Sequence, residues 1–205
     1  MQAMTTRSDA DLAGLALALI ASRRSVAPKR LQAPGPGDEQ LRQLVDAAAT
    51  APDHEGLKPW RLIRIADHQR DALADLFEAC ARDRSPPPGD EDLQRSRAKA
   101  YRAPVLLLAV LNSQPVDPEV PDTERAISLG AALMALMLAA HGMGYGAMLT
   151  SGRAVRTERF ARAFGLAEGE QAVCFVSVGT PEQPRKHRPR EDGRARLSDW
   201  AGPMG

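Results

Sequence analysis

Two spacings of apolar residues along the chain predict its secondary structure. Apolar residues three or four apart, as on one face of a helix, predict helices over 9–25, 38–51, 67–84, 125–142 and 155–165, and a charged helix ends near Tyr101. The alternating run "WRLIRI" and the unbroken apolar runs "APVLLLAVL" and "AVCFVSVGTP" predict strands, with a fourth strand near 145–150. Four strands among about six helices indicate an α+β fold with three layers.

The chain shows no internal repeat and no clear domain boundary, so we expect a single domain over 1–205. Residues 1–8 form an extension before the first helix. The polar, Pro-rich segment 112–124 is a candidate lid, and the segment 85–92 is predicted to be a loop. Residues 184–205 contain few apolar side chains, which predicts a tail that is either disordered or packed on another surface.

Composition and charge exclude several classes of function. The 205 residues carry a formal net charge of +1 and 4 % aromatic residues, so neither an electrostatic surface for nucleic acid nor a base-stacking platform is indicated. The two cysteines form no CxxC motif, and the N-terminus lacks the apolar run of a signal peptide. The apolar segment 126–149 is interrupted by Ser128 and Gly130, so we interpret it as a buried helix and expect a cytoplasmic protein without a membrane partner.

Two basic clusters lie far apart in the sequence. "ASRRSVAPKR" places Arg23, Arg24 and Ser25 at the end of the first helix, and "PRKHRPR" places Lys186 and Arg188 in the tail. Guanidinium groups and a hydroxyl suit a phosphate or a carbonyl-rich ring, and two cations two residues apart in an extended segment lie on one side. The alternatives are that basic residues favour helix C-termini and that the tail is simply solvated.

Three other motifs contain residue types that occur in metal, dinucleotide or nucleophile sites. "PDHEGLKPW" offers Asp53, His54 and Glu55, which lack the partner histidines of a metal site, so we interpret His54 either as a ligand contact or as a loop residue bonded to backbone. The glycines of "HGMGYGAMLTSG" follow a helix and precede a strand, the reverse of a dinucleotide fingerprint. "SRAK" matches SxxK by letter alone, without its partner motifs, and is interpreted as chance.

The order of these features resembles the FMN-dependent nitroreductase family, especially its branch of minimal NAD(P)H nitroreductases. The matching segments are "SRRSV", "AAATAPDHEGLKPWRLIRI", "YRAPVLLLAV", "ERAISLGAALMALMLAAHGMGYGAMLTSG" and "VSVGTPEQPRKHR", which together span about residues 12–190. The resemblance implies a three-layer nitroreductase-like fold, with a mostly antiparallel central sheet flanked by helices. It also implies an intertwined homodimer with FMN in the interface and the tail packed on the partner.

The resemblance implies contacts between FMN and particular residues. Arg23, Arg24 and Ser25 take the family's Arg-Arg-Ser role at the phosphate, ribityl chain and pyrimidine edge. The resemblance also implies FMN contacts by eight further residues: Thr50, His54, Lys58, Leu149, Thr150, Ser151, Lys186 and Arg188. This branch often has arginine at the position of Thr50 and Trp-Arg at Leu149–Thr150, and Lys58 replaces the usual glutamine.

The resemblance further implies a ping-pong oxidoreductase. NAD(P)H reduces FMN at N5, and a nitroaromatic, quinone or similar electron-poor acceptor then takes the hydride. No catalytic side chain and no metal are expected, and Arg23, Arg24 and Lys58 are the candidates to stabilise the anionic reduced ring. Two alternatives stay open: a non-redox flavin-binding, storage or sensing protein on the same fold, and a structural dimer with an empty site.

Overall fold

The computed structural model describes residues 9–115, 117, 119–183 and 192–202 of the chain. These residues include six α-helices: α1 (Asp9–Ser22), α2 (Asp38–Ala48), α3 (Arg70–Arg82), α4 (Asp90–Arg97), α5 (Asp122–Gly142) and α6 (Glu158–Ala163). They also include five β-strands: β1 (Leu31–Gln32), β2 (Trp60–Arg64), β3 (Val105–Asn112), β4 (Gly146–Thr150) and β5 (Glu170–Pro181).

The strands form one antiparallel sheet around β5. The strand order is β1-β5-β3-β2, and β4 also pairs with β5. The predicted α+β fold with a mostly antiparallel sheet is therefore confirmed. β1 was not predicted, because two residues inside the loop "KRLQAPGPG" show no hydrophobic period, and their pairing with Thr180 and Pro181 is a long-range contact.

Two separate apolar cores lie on the two faces of the sheet. Along β3, Leu107 and Ala109 face α2 and α5, while Leu106 and Leu108 face α3 and α6. This alternation follows from the two-residue period of a strand. Because both faces are covered, β3 is apolar throughout, and the predicted three layers are present.

Several predicted boundaries are wrong by a few residues. α1 ends at Ser22 rather than at Ser25, because the next residues pair with β4. α4 begins at Asp90, inside the segment predicted as a loop, where three acidic residues occupy the first turn and complement the helix dipole. The helices predicted over 67–84 and 155–165 are shorter, and each begins with a 3-10 turn.

A buried arginine ties the segment after β3 to the start of α5. The side chain of Arg125 is 2 % exposed and donates hydrogen bonds to the carbonyl oxygens of Asn112, Gln114 and Pro115, the shortest being 2.6 Å. Guanidinium bonds to three carbonyls satisfy both the buried charge and the loop backbone. The first residues of the candidate lid are therefore held by α5.

α5 buries one stripe and exposes another. Its buried residues recur every three or four positions: Arg125, Ser128, Leu129, Ala132, Leu133, Leu136, Met137 and Ala140. The opposite side carries Ile127, 66 % exposed, together with Gly130 and partly buried Met134 and Leu138. Among the described helices α5 alone has the length and mean hydropathy, 1.4, of a membrane span, which core helices also reach.

α1 packs little against the rest of the protomer. None of its residues is buried, and Leu12, Leu15, Leu17 and Ile20 are between 45 % and 67 % exposed. Its contact within the chain is with the end of α5, where Leu19 approaches Gly142. An apolar helix of this kind leaves surface for a second chain.

We predict that Phe160→Ala lowers the free energy of unfolding by about 3–5 kcal/mol, the usual cost of removing a core aromatic ring. Phe160 is fully buried and its ring centroid lies 6.0 Å from that of Phe175 and 4.5 Å from that of Phe164. Urea denaturation measures the change. Arg162→Ala is the control, because its exposed ion pair with Glu158 contributes less than about 1 kcal/mol. Equal losses in the two variants would contradict the prediction.

Candidate functional site

The Arg-Arg-Ser segment lies along the edge of β4. The Val26 amide donates to the carbonyl of Ala147 at 3.1 Å, and Ser25 forms a parallel bridge with the same residue. This approach requires glycine at position 146, because a Cβ atom there would lie 2.9 Å from Cγ2 of Val26. The structure therefore brings the end of α1 beside the predicted β4 residues.

The two arginines differ in their contacts. One Nη atom of Arg24 donates to the carbonyl of Ala21 at 2.5 Å and to that of Arg23 at 2.9 Å, so this side chain also satisfies the helix C-terminus. Arg23 approaches the Ser25 hydroxyl at 3.5 Å. Both arginines are half-buried, which holds their positive charges near β4.

A cavity of about 230 Å³ opens at the end of β4, on the α3 side of the sheet. Thr150 and Ser151 line it, whereas the Leu149 side chain packs against the α2–α5 core on the opposite face. Phe77, Leu106 and Phe175 make its floor apolar. The rest of the lining is Pro28, Arg84, Ser96, Lys99, Arg102, Gly152, Arg153, Ala154, Val155 and Ser177.

Four cations line this cavity: Arg84, Lys99, Arg102 and Arg153. None of them forms an ion pair with a carboxylate within the described part of the chain, and the Nε atom of Arg84 is buried without a hydrogen-bond partner there. Burial lowers the pKa of Lys99, and the positive charges of Arg84 and Arg102 lower it further, against the charge of Asp92. Like charges gathered in this way favour an anionic or carbonyl-rich ligand.

Sequence reasoning missed most of this cavity. Ser96 and Lys99 belong to the "SRAK" segment that was interpreted as chance, and both line the cavity. Their SxxK letters carry no nucleophilic chemistry here, but they belong to the polar lining. The sequence carries no signal that brings these residues together, because Arg84, Lys99 and Arg153 come from separate segments.

The predicted residues between 50 and 58 lie elsewhere in the protomer. Thr50 donates its hydroxyl hydrogen to the carbonyl of Ala47 at 2.8 Å, at the end of α2. Glu55 and Lys58 have positive φ angles of 49° and 47°, and the Lys58 amide donates to Asp53 Oδ2 at 2.9 Å. Non-glycine residues in this conformation are strained and occur frequently in binding loops.

His54 is joined to the first turn of α5. Its Nδ1 lies 2.7 Å from Oε1 of Glu124, and both side chains are about two-fifths exposed. The hydrogen bond and charge of Glu124 raise the pKa of His54, with smaller contributions from the charges of Glu55 and Asp117. The pair lines a second pocket, of about 340 Å³, with Pro52, Asp53, Leu57, Pro59, Arg125, Ile127 and Ser128.

The two groups of site residues lie at opposite ends of α5. His54 contacts Glu124 near its start, whereas Ser22, beside the two arginines, lies 2.8 Å from His141 near its end. Glu124 and His141 are seventeen positions apart, which is about 25 Å along the helix at 1.5 Å per residue. One protomer therefore does not bring His54 to the arginines at the end of α1, and none of Thr50, His54 and Lys58 lines the cavity at β4.

Lys186 and Arg188 lie outside the described residues. The chain before them runs along β1, where the Glu182 amide donates to the carbonyl of Arg30 at 2.9 Å. Gln183, the last described residue before the tail, shares a pocket with Ser22 and His141. Among the described residues, no group of three or more metal-ligating side chains is present.

Comparisons with known proteins agree on one family. The family model for the Nitroreductase family matches residues 20–180. A relative from Haemophilus influenzae named "Putative NAD(P)H nitroreductase" is 33 % identical over 165 residues, 80 % of this chain and 88 % of its own. YdjA of Escherichia coli K12, which bears the same name, is 32 % identical over 82 % of this chain and 88 % of its own.

Solved structures share the fold. A "Nitroreductase-like Family Protein" from Bacillus cereus superposes with a TM-score of 0.76 over 98 % of this chain and 100 % of its own, at 21 % identity. The Vibrio harveyi NADPH:FMN oxidoreductase complexed with NAD+ superposes with a TM-score of 0.68 over 89 % of this chain and 76 % of its own, at 19 % identity.

We predict that Glu124→Gln lowers the pKa of His54, because the amide removes the negative charge that stabilises the imidazolium. A folded-state pKa above the unfolded value means that the pair stabilises the fold below the unfolded pKa of His54. That stabilisation is lost as the pH rises through the folded pKa. NMR titration of the His54 ring measures the change, with exposed His68 as the internal control. An unchanged His54 midpoint would contradict the prediction.

Proposed function

Because the chain belongs to the Nitroreductase family, we propose that it is an FMN-dependent oxidoreductase. It transfers a hydride from NAD(P)H through flavin N5 to nitroaromatic, quinone or similar electron-poor acceptors. The observation that carries this proposal is the cavity at the end of β4, with four cations, an apolar floor and two predicted flavin contacts, Thr150 and Ser151.

The cavity suits the ring of a flavin in its chemistry. Phe77, Leu106 and Phe175 offer an apolar floor for an aromatic system. Arg84, whose Nε lacks a partner among the described residues, and Lys99 offer donors and positive charge to a carbonyl-rich pyrimidine edge. These residues, rather than Lys58 of the same protomer, are our candidates to stabilise negative charge on the reduced ring.

The phosphate end of FMN is assigned to the arginines at the end of α1. Arg23 and Arg24 are half-buried beside β4, and Ser25 is bridged to it. Lys186 and Arg188 complete this anion site in the proposal, since the described chain leaves β5 beside Ser22. Fork-shaped guanidinium donors and two further cations suit a phosphate dianion.

The second half of the site is assigned to a partner subunit in a homodimer. α1 and one side of α5 expose apolar residues that the described part of the protomer leaves uncovered. In a dimer whose two-fold axis is perpendicular to α5 and which pairs the exposed sides of this helix, the two copies of α5 run antiparallel, so the start of one lies near the end of the other. In this arrangement the partner's His54 loop lies near the end of α5, beside Arg23 and Arg24, about 25 Å along the helix from the His54 loop of the same protomer.

FMN supplies the redox chemistry when bound, taking a hydride from NAD(P)H and then giving it to an acceptor in a ping-pong cycle. The protein residues bind and orient it. The cations of the cavity hold the charge that develops on reduction, and the apolar floor excludes water from one face.

An absorbance spectrum of purified protein before and after anaerobic NADPH tests the proposal. We expect a yellow protein whose flavin absorbance is bleached by NADPH and restored by a quinone. A yellow protein that neither NADPH nor NADH bleaches would contradict the proposal and favour the flavin-storage or sensing alternative. A colourless protein that takes up no added FMN would favour a structural dimer.

We predict that Lys99→Met lowers the midpoint potential of bound FMN, because the reduced, anionic ring loses a neighbouring positive charge. A loss of about 1–3 kcal/mol corresponds to about 20–60 mV for a two-electron couple. Lys29→Met is the matched control, since Lys29 is exposed and does not line the cavity. Spectroelectrochemistry measures both variants, and an equal potential in both would remove Lys99 from the site.

A further inference from the structure

The cavity at β4 holds more positive charge than a flavin ring needs. Arg84 and Lys99 are the candidates to stabilise the anionic reduced ring. Arg102 and Arg153 line the same cavity, and neither forms an ion pair with a carboxylate in the described part of the chain. Two cations are therefore left over, and gathered like charges favour a further anionic ligand.

Arg153 lies at the mouth of the cavity. It is exposed, and it begins the 3-10 turn Arg153–Arg156, directly after the Ser151 and Gly152 that also line the cavity. A side chain that both lines a cavity and is exposed to solvent lies at its entrance. Arg153 can therefore contact a ligand that extends out of the cavity.

The backbone on both sides of Arg102 is held in place. The buried guanidinium of Arg70 donates to the carbonyl oxygens of Ala100 at 2.9 Å and Pro104 at 3.1 Å. Ala103, the residue after Arg102, has a positive φ of 75°, a strained conformation for a residue other than glycine. Such strain is frequent at binding sites. The half-buried Arg102 side chain thus starts from a fixed backbone position.

The cavity is too small for a flavin ring together with a dinucleotide. Its volume of about 230 Å³ lies below the range of roughly 300–1,000 Å³ that is usual for small-molecule pockets. A nicotinamide that meets the ring therefore enters from the mouth, and the rest of its dinucleotide stays outside. The cations nearest to that outer part are those at the rim.

We propose that Arg102 and Arg153 bind the 2′-phosphate of NADPH, so that this chain prefers NADPH to NADH as its hydride donor. The inference rests on the proposed function, because the flavin ring places the dinucleotide. NADPH differs from NADH by this phosphate monoester alone, which carries about 1.5–2 negative charges at neutral pH. Two guanidinium groups match that charge, and their forks of N–H donors suit phosphate oxygens.

The diphosphate of the dinucleotide is the other anionic group that could meet the rim. NADH carries the same diphosphate, and each of its two phosphoryl groups has a single negative charge. A contact with the diphosphate would therefore strengthen the binding of both donors equally. A contact with the 2′-phosphate strengthens the binding of NADPH alone, so a comparison of the two donors separates the assignments.

The ratio of kcat/KM for NADPH to kcat/KM for NADH measures the preference in the FMN-loaded protein. We expect a ratio of about a hundred in the wild type, a fall of about tenfold in Arg102→Met and in Arg153→Met, and a ratio of about one in the double variant. Arg156→Met is the matched control, because Arg156 is exposed in the same turn and does not line the cavity.

NADH serves as the internal reference for each variant. A loss of folded protein or of bound FMN lowers both rates and leaves the ratio unchanged. A wild-type ratio of about one would overturn the inference, and so would a ratio that either single variant leaves unchanged. An equal fall of both rates in the variants would assign the arginines to the diphosphate or to the flavin instead.

Salt and a conservative variant test whether charge carries the preference. We expect the wild-type ratio to fall as the ionic strength rises, because salt screens the exposed Arg153. Arg153→Lys retains the positive charge and therefore retains more of the preference than Arg153→Met. A wild-type ratio that does not respond to salt, or equal ratios in these two variants, would contradict a subsite based on charge.

A binding measurement adds a readout without hydride transfer. Isothermal titration calorimetry compares NADP⁺ with NAD⁺ on the oxidised, FMN-loaded protein. We expect NADP⁺ to bind about a hundredfold more tightly than NAD⁺, and the double variant to bind the two equally. Equal affinities in the wild type would overturn the assignment of the 2′-phosphate.

Failure of this inference is distinguishable from failure of the proposed function. If NADPH and NADH bleach the flavin equally well, the proposed function stands and the inference is wrong. If neither donor bleaches the flavin, the proposed function is wrong, and calorimetry still decides whether the two arginines bind the 2′-phosphate. A chain that takes up no FMN overturns both.

Discussion

The length and rigidity of α5 determine how the site is assembled. Its 21 residues are held by a ladder of backbone hydrogen bonds, and its buried stripe is fixed against the sheet. The arginines of α1 lie at one end, and the His54 loop lies at the other. Because a helix of this kind does not shorten, the two groups meet only if a second chain supplies one of them. The exposed apolar side of α5 is the surface on which an antiparallel copy would do so.

The cavity at β4 links stability to binding. Phe77 and Phe175 belong to the aromatic core around Phe160, and both also form the cavity floor. Burial, followed by the positive charges of Arg84 and Arg102, lowers the pKa of Lys99, so these neighbouring cations repel one another. A fold can maintain such a cluster where a ligand compensates the charge. Occupancy of the cavity is therefore expected to stabilise the core beneath it.

The sequence was sufficient for the family and for most of the secondary structure. Local periodicity identified the long helices and β3, and the ordered motifs around "SRRSV" and "DHEGLKPW" indicated the family, which the family match confirms. β1 escaped detection because its pairing depends on residues 150 positions away. The lining of the cavity escaped because Arg84, Lys99 and Arg153 come from three separate segments whose proximity only the fold creates.

The sequence predicted which segments form the site better than it predicted where each side chain points. Thr150 and Ser151 line the cavity, but consecutive strand residues face opposite sides, so Leu149 contributes to the α2–α5 core instead. Lys58 lies in a strained loop near the start of α5 and not at the cavity of its own protomer. Motif order predicted which segments take part, whereas long-range packing sets the side of the sheet that each residue faces. Contacts of FMN with these residues stay predictions.

Electrostatics at the start of α5 explain why His54 needs Glu124. The N-terminus of a helix carries a partial positive charge, which favours anions and disfavours an imidazolium nearby. Asp122 and Glu124 occupy the first turn of α5, so the helix stabilises the carboxylates, and Glu124 in turn stabilises His54. Arg125, on the same turn, directs its charge to the carbonyls of the loop that follows β3 rather than to His54. The result is an imidazole whose pKa is raised at a helix end that would otherwise lower it, next to a buried hydroxyl of Ser128 with no partner in the described chain.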